Sequence, residues 1–213
     1  PHAQVDYVVV DLAKAKGPSK LFAAVAALNK PIDVLINNAG LAYQGSFEDM
    51  SARKTQEMLA LNIRSLTEIT QLFLPQMLER QQGKILNVGS VVGFQAVPGM
   101  ALYSASKAFV LSFTESLAEE LRCQGVQVSA LCPGLTRTEM VSDLGTDAIP
   151  GAELMMADPR EVALAGYQAI HQGEVIRIPG MFNQAVVNWA EFQPRWLKRT
   201  LAGIAGRATF AAR

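Results

Sequence analysis

Ile32-Asp33-Val34-Leu35-Ile36-Asn37-Asn38-Ala39-Gly40 is an apolar run that breaks abruptly into amides and small residues. A short apolar segment bounded by turn formers reads as a buried strand, with the polar residues at its carboxyl end. Upstream, the β-branched run Val5-Asp6-Tyr7-Val8-Val9-Val10 ends at Asp11 and reads as another strand, and Gly17-Pro18 opens a helix to about Asn29. Strand, helix and strand in that order predict a βαβ unit and a parallel sheet.

The alternation continues downstream. An amphipathic stretch from about Ser51 to Leu78 carries Asn62 in its interior. Lys84-Ile85-Leu86-Asn87-Val88-Gly89-Ser90 predicts a third strand with Ser90 at its end, and Val126 to Cys132 a fourth that ends at Pro133-Gly134. Between them, a helix to about Arg122 stops before Gly125, where glycine suits a left-handed cap. The pattern loosens from Leu135 to Ala157, a segment with Gly145, Pro150, Gly151, Met155 and Met156 that reads as a long loop or short helical lid. Asp158-Pro159-Arg160-Glu161 is a helix start, with Asp158 as N-cap, Pro159 at the first position and Glu161 completing a capping box. That helix should end near Gly173, and Val175 to Gly180 predicts a last short strand. Residues 181–213 form a basic amphipathic tail, with Trp189, Phe192, Trp196, Leu197, Leu201 and Ile204 at roughly helical spacing among Arg195, Lys198, Arg199 and Arg207.

The candidate chemistry lies in Tyr103-Ser104-Ala105-Ser106-Lys107. Residues four apart on a helix share a face, so Tyr103 and Lys107 can act on one another. A free phenol has a pKa of about 10, and use near neutrality needs a downward shift of roughly 3 units, or about 4 kcal/mol. A neighbouring ammonium supplies part of that shift, and a hydroxyl such as Ser90 can hold a substrate oxygen against the phenol. Ser104 and Ser106 flank the tyrosine but point elsewhere on the helix. In open parallel sheets ligands bind beyond the carboxyl ends of the strands, where Asp11, Asn38, Ser90 and Pro133-Gly134 all fall.

In these motifs the chain resembles the short-chain dehydrogenase/reductase family over nearly its whole length. The resemblance implies a single Rossmann-like doubly wound parallel α/β domain over residues 1–213, binding NADP or NAD. By it, Asn38, Ala39 and Gly40 border the cofactor, and Asp11 lies beside the adenine. Pro133, Gly134 and Thr138 lie at the carboxamide. Asn62 distorts its helix and holds a water of the proton relay, Ser90 orients the substrate oxygen, Tyr103 is the general acid/base, and Lys107 bonds the nicotinamide ribose and lowers the tyrosine pKa. The implied activity interconverts a secondary alcohol and a ketone, and the apolar loop and tail suggest a lipophilic substrate. A homodimer or homotetramer is the expectation by resemblance.

The family opens with a strand and a Thr-Gly-x-x-x-Gly-x-Gly turn that cradles the pyrophosphate at a helix N-terminus. No stretch of the chain matches it, and the expectation is an N-terminally truncated domain lacking the first two strands of the family order 3-2-1-4-5-6-7. The acidic or basic residue that selects NAD or NADP would lie in that missing part. Two rivals share these residues: a catalytically silent scaffold, and a nicotinamide-assisted epimerase or dehydratase on the same architecture.

Composition narrows the classes. The chain has 213 residues, half of them hydrophobic, with 19 basic and 19 acidic side chains. That balance fits one α/β domain and gives no electrostatic footprint for nucleic acid. Cys123 and Cys132 have no metal-ligand spacing, and reduced thiols in a cytoplasmic compartment are the expectation. No apolar run approaches the roughly 20 residues of a membrane helix. His171, near a helix end, reads as a capping residue and His2 as an exposed one, which leaves no Ser/His/Asp triad. The tail reads as a segment packed on the domain or a second subunit, with a wall of the substrate pocket or a membrane-surface helix as its functional readings.

Overall fold

The computed structural model describes residues 4–143 and 156–211. Four parallel strands, β1 (Val34–Asn37), β2 (Gly83–Val88), β3 (Val126–Leu131) and β4 (Ile176–Arg177), form one sheet in the order β1-β2-β3-β4. Val34 pairs with Lys84, Ile85 with Val128 and Ala130 with Ile176, so the strand ends align along one edge of the sheet. Helices α1 (Gly17–Ala26), α2 (Ala52–Leu59), α3 (Leu66–Glu79), α4 (Ala101–Glu120), α5 (Glu139–Asp143), α6 (Pro159–Gln172), α7 (Met181–Glu191) and α8 (Arg195–Ala211) complete the described elements.

The strand period of two explains the layers. Ile85 and Val128 face α3 and α4 and pack with Met77, Leu117 and Leu121, while Leu86 and Leu131, one and three residues further along their strands, face the other way, onto Val162 and Ile170 of α6. Helices on both faces are what a parallel sheet of continuous apolar strands requires. On α1, Phe22 meets Phe73 of α3 edge-to-face at 5.1 Å.

The Asp158 N-cap and the Gly173 stop form as read, whereas Glu161 makes no capping-box bond among the described residues, because Asp158 turns to the Arg160 amide instead. Asp158 accepts from the Arg160 amide at 2.7 Å, and Gly173 ends α6 at φ 72°. Gly125, expected as a left-handed cap of the preceding helix, lies beyond its C-cap, Leu121; at φ 77° it instead makes room for the Gln81 carbonyl oxygen, which a Cβ there would overlap. The stretch from Ser51 to Leu78 is two α-helices joined by a π-helical turn, Ala60–Ser65, with Asn62 inside it. Of the loop or lid, Gly145, Pro150, Gly151 and Met155 lie outside the described residues, as does His2.

One strand does not form. Val5 to Val10 has no partner in the sheet, and Val5, Tyr7 and Val9 are more than four-fifths exposed. β-branching favours an extended backbone, but a strand exists through its ladder, and the run has none. β1 is the sheet's edge, and Val34 and Ile36 are exposed on it.

Candidate active site

At the carboxyl ends of the strands the chain gathers eight of the expected residues. β1 runs into Asn38-Ala39-Gly40, β2 into Ser90, β3 into Pro133-Gly134, and α4 lays Tyr103 and Lys107 over them. A Cβ on Gly40 would sit 3.4 Å from Asn62 Oδ1 and 3.7 Å from Lys107 Nζ, so the glycine keeps the approach to both polar groups open. Ser90 caps a short 3-10 turn, Val91–Phe94; its Oγ accepts from the Val92 amide and donates to the Pro133 carbonyl, each at 3.4 Å.

Asn62 is 2% exposed and its side chain is almost fully engaged. Its Oδ1 accepts from the Leu41 amide at 2.8 Å, and Nδ2 donates to the Leu41 carbonyl at 2.9 Å and to Ser106 Oγ at 3.0 Å. Ser106 in turn donates to the Tyr103 carbonyl at 2.7 Å. Ser106, read as pointing elsewhere on the helix than the tyrosine, is fully buried and ties the π-helical turn to α4. Its signal in the sequence is only the i, i+3 back-bond open to any helical serine, which carries no information about Asn62.

Lys107 Nζ donates to the Val88 carbonyl at 2.7 Å and lies 5.7 Å from the Tyr103 ring centroid. Burial lowers its pKa to about 8. Cys132, beside it, is pushed up to about 12, so near neutrality it is an uncharged thiol and burial alone governs Lys107. The Tyr103 phenol moves in the direction opposite to that expected: burial raises it, and a hydrogen bond with Ser90 only partly offsets the rise. Desolvation disfavours the phenolate and outweighs the hydrogen bond that favours it.

The remaining expected residues lie around this cluster. Asn38 and Ala39 are exposed and line a hollow of about 90 Å³ with Leu12, the neighbour of Asp11. Asp11 accepts from the Ala13 amide in an exposed turn, and Thr138 donates to the Thr136 carbonyl at an exposed position before α5. A Cβ on Gly134 would meet the Asn183 amide group at 2.6 Å, so this glycine lets α7 close over the end of β3. Behind the site a buried ladder crosses the sheet: Asn37 Nδ2 donates to Thr70 Oγ1 and to Asn87 Oδ1, and Asn87 Nδ2 donates to Thr114 Oγ1. Among the described residues no acidic, histidine and cysteine side chains group as a metal site, and no helix is long and apolar enough to cross a membrane.

With Ser90 hydrogen-bonded to the phenol and Lys107 beside its ring, the cluster can pass a proton to an oxygen held between Ser90 and Tyr103. The chain's matches agree with such chemistry. The profile of the family described as short chain dehydrogenase matches residues 2–148. An acetoacetyl-CoA reductase of Acinetobacter sp. (strain RA3849) is 32% identical over 189 residues, covering 84% of this chain and 76% of the relative. The ketoacyl reductase HetN of Nostoc sp. is 39% identical over 141 residues, 66% of this chain, and the match spans about half the relative's length, 48%. Among solved structures, a short-chain dehydrogenase from Sphingobium yanoikuyae in complex with NADPH superposes with a TM-score of 0.73 at 28% identity, covering 87% of this chain and 74% of that one.

Proposed function

Because the chain belongs to the short-chain dehydrogenase/reductase family, we propose that it carries the catalytic half of a nicotinamide-dependent oxidoreductase that interconverts a secondary alcohol and a ketone. The observation that carries this reading is the convergence of Gly40, Asn62, Ser90, Tyr103 and Lys107 at the strand ends.

Residues of the site fit the nicotinamide end of NADP or NAD. Lys107 would hold the ribose hydroxyls, Asn38, Ala39 and Gly40 would border the cofactor, Pro133, Gly134 and Thr138 would face the carboxamide, and Asp11 would lie toward the adenine. An ammonium has three donors, and Val88 takes one, which leaves two for Tyr103 and a ribose. When bound, the cofactor supplies or accepts the hydride. Ser90 Oγ holds the substrate oxygen, Tyr103 donates its phenolic proton to it during reduction, and Lys107 with the Asn62 turn restores that proton. With Asn62 bonded through both ends of its amide, its part is to fix the π-helical turn against Leu41 and α4.

The substrate is read as lipophilic because the hollow beyond Ser90 is walled by Val91, Phe94, Phe182 and Val186. The free thiols Cys123 and Cys132 support a reducing, cytoplasmic setting, and exposed Phe109, stacked on Phe113 of α4, supports a homodimer or homotetramer. Tyr103→Phe is the direct test, with ketone turnover followed by nucleotide absorbance. Loss of two or more orders of magnitude with unchanged circular dichroism is the expected result, in line with a factor of roughly 10²–10⁴ for a positioned acid. Retained turnover would remove Tyr103 from the mechanism.

A further inference from the structure

A cavity beside α4 takes no part in the chemistry above. It encloses about 670 Å³ between α8 and the face of α4 next to Tyr103, closed at one end by Gly93–Pro98. That is the size of a small-ligand site. Its walls are of two kinds. Phe94, Val97, Pro98 and the alanines of α4 are apolar, whereas α8 presents Arg195, Lys198 and Arg199.

The spacing i, i+3, i+4 puts the three cations on one face of α8, and that face lines the cavity. From Gln193 to Gly203 the sequence has no acidic residue, and the ion pairs among the described residues use Arg53, Arg64, Arg80, Arg122 and Arg177 instead. Arg195 and Arg199 repel one another at i, i+4, and all three stand in the first turns of the helix, where its dipole disfavours positive charge. A chain with no net charge thus concentrates unpaired cations on one wall of an apolar cavity. An anion there relieves all of these repulsions together.

The cavity also leads toward the catalytic residues. Phe94 and Gln95 line it and, on their other side, the hollow of about 180 Å³ bounded by Val91 and Asn183. Asn183 packs on Gly134, and Val91 adjoins Ser90. Resting on the oxidoreductase reading, we infer that the substrate is a carbonyl compound whose apolar chain runs past Phe94 and Gln95 and ends in a phosphate held by Arg195, Lys198 and Arg199. Three cations suit a dianionic phosphate, and the arginine forks match its oxygens.

Octyl phosphate, octanoate and octanol, titrated into the full chain and followed by the fluorescence of Trp189 and Trp196, test the site. Octyl phosphate should bind on the order of tenfold or more tighter than octanol, with octanoate between, and the advantage should shrink as salt rises. Replacing Arg195, Lys198 and Arg199 together by Gln should erase the preference and leave octanol binding in place. If that variant does not fold, Arg199→Gln alone should halve the preference or more. Equal binding of octyl phosphate and octanol, or an unchanged preference in the variants, overturns the inference. So does sedimentation with phosphatidylglycerol vesicles in the absence of binding to monomeric octyl phosphate, which would assign the cations to a membrane surface. Binding of octyl phosphate with no ketone turned over keeps the anion site and removes the oxidoreductase reading. Turnover of a keto-alkyl phosphate and its dephosphorylated analogue at equal kcat/KM does the reverse.

Discussion

The Asn62 amide donates to the Ser106 hydroxyl at 3.0 Å, and the same hydroxyl donates to the Tyr103 carbonyl at 2.7 Å, so the π-helical turn and α4 are tied through one buried hydroxyl. Neither residue is more than 2% exposed. Ser106→Ala leaves one Nδ2 hydrogen of Asn62 without its partner, which costs about 1–3 kcal/mol. Urea unfolding should show that loss, and kcat should fall more than KM changes, because the turn and α4 lose their common anchor. Wild-type stability in Ser106→Ala would mean that water replaces the hydroxyl.

A second tie joins α4 to α3. Thr70 on α3 reaches Thr114 on α4 through Asn37 and Asn87, with all four side chains at most 8% exposed. Networks of this kind are coupled through their shared members. Asn37→Ala and Asn87→Ala, each destabilising, should therefore combine non-additively, with a coupling energy of about 0.5–3 kcal/mol in a double-mutant cycle. Additivity would show that the two amides act independently.

The ladder marks where reading the sequence stops. The alternation of apolar runs and the terminal amides of β1 place Gly40, Ser90 and Pro133 at one edge because strand ends follow from periodicity. The caps at Asp158 and Gly173 follow from local chemistry in the same way. Ser106 and Thr114 could not be singled out, since a helical serine or threonine bonding back to its own helix looks alike whether or not a partner from another element arrives. The Val5 to Val10 run failed for the converse reason: its β-propensity is local, but the ladder that makes a strand is not. The direction of the Tyr103 shift was missed because spacing reveals the neighbouring charge and conceals the burial of both groups.

That burial makes Lys107 a source of pH-dependent stability. Its folded pKa is lowered from 10.5 to about 8, so between those values the unfolded chain binds more protons than the folded one. Stability then rises with pH across the window, from the full penalty of a buried charge below about pH 8 to its relief near 10.5, a span of roughly 3 kcal/mol. Tyr103 and Cys132, both raised, work in the opposite sense at higher pH, so comparison with Lys107→Met isolates the lysine. The variant loses the bond to Val88 at every pH, but relative to it the wild type should gain stability between pH 7 and 10.5 in urea titrations. A constant difference would show that Lys107 is solvated in the folded protein.

The distance between Ser90 and α4 depends on Gly93. A Cβ there would lie 2.9 Å from the Lys107 carbonyl carbon, 3.0 Å from its oxygen and 2.9 Å from Leu111 Cδ1. Two of these are backbone atoms of α4, which cannot turn aside as the end of a side chain does. Gly93→Ala must therefore push the turn bearing Ser90 away from Tyr103, with an overpacking cost of about 1–3 kcal/mol. Gly173→Ala is the matched control. It strains a residue at φ 72° by roughly 1–2 kcal/mol, but the new Cβ would meet only Gln127 Nε2, at 3.7 Å, at the far end of α6. Both variants should unfold at lower urea concentration than the wild type. Only Gly93→Ala should also lower kcat/KM under conditions where each is fully folded, because only there does the strain reach the two hydroxyls. Equal activity in the two variants would show that the turn carrying Ser90 yields without moving the site.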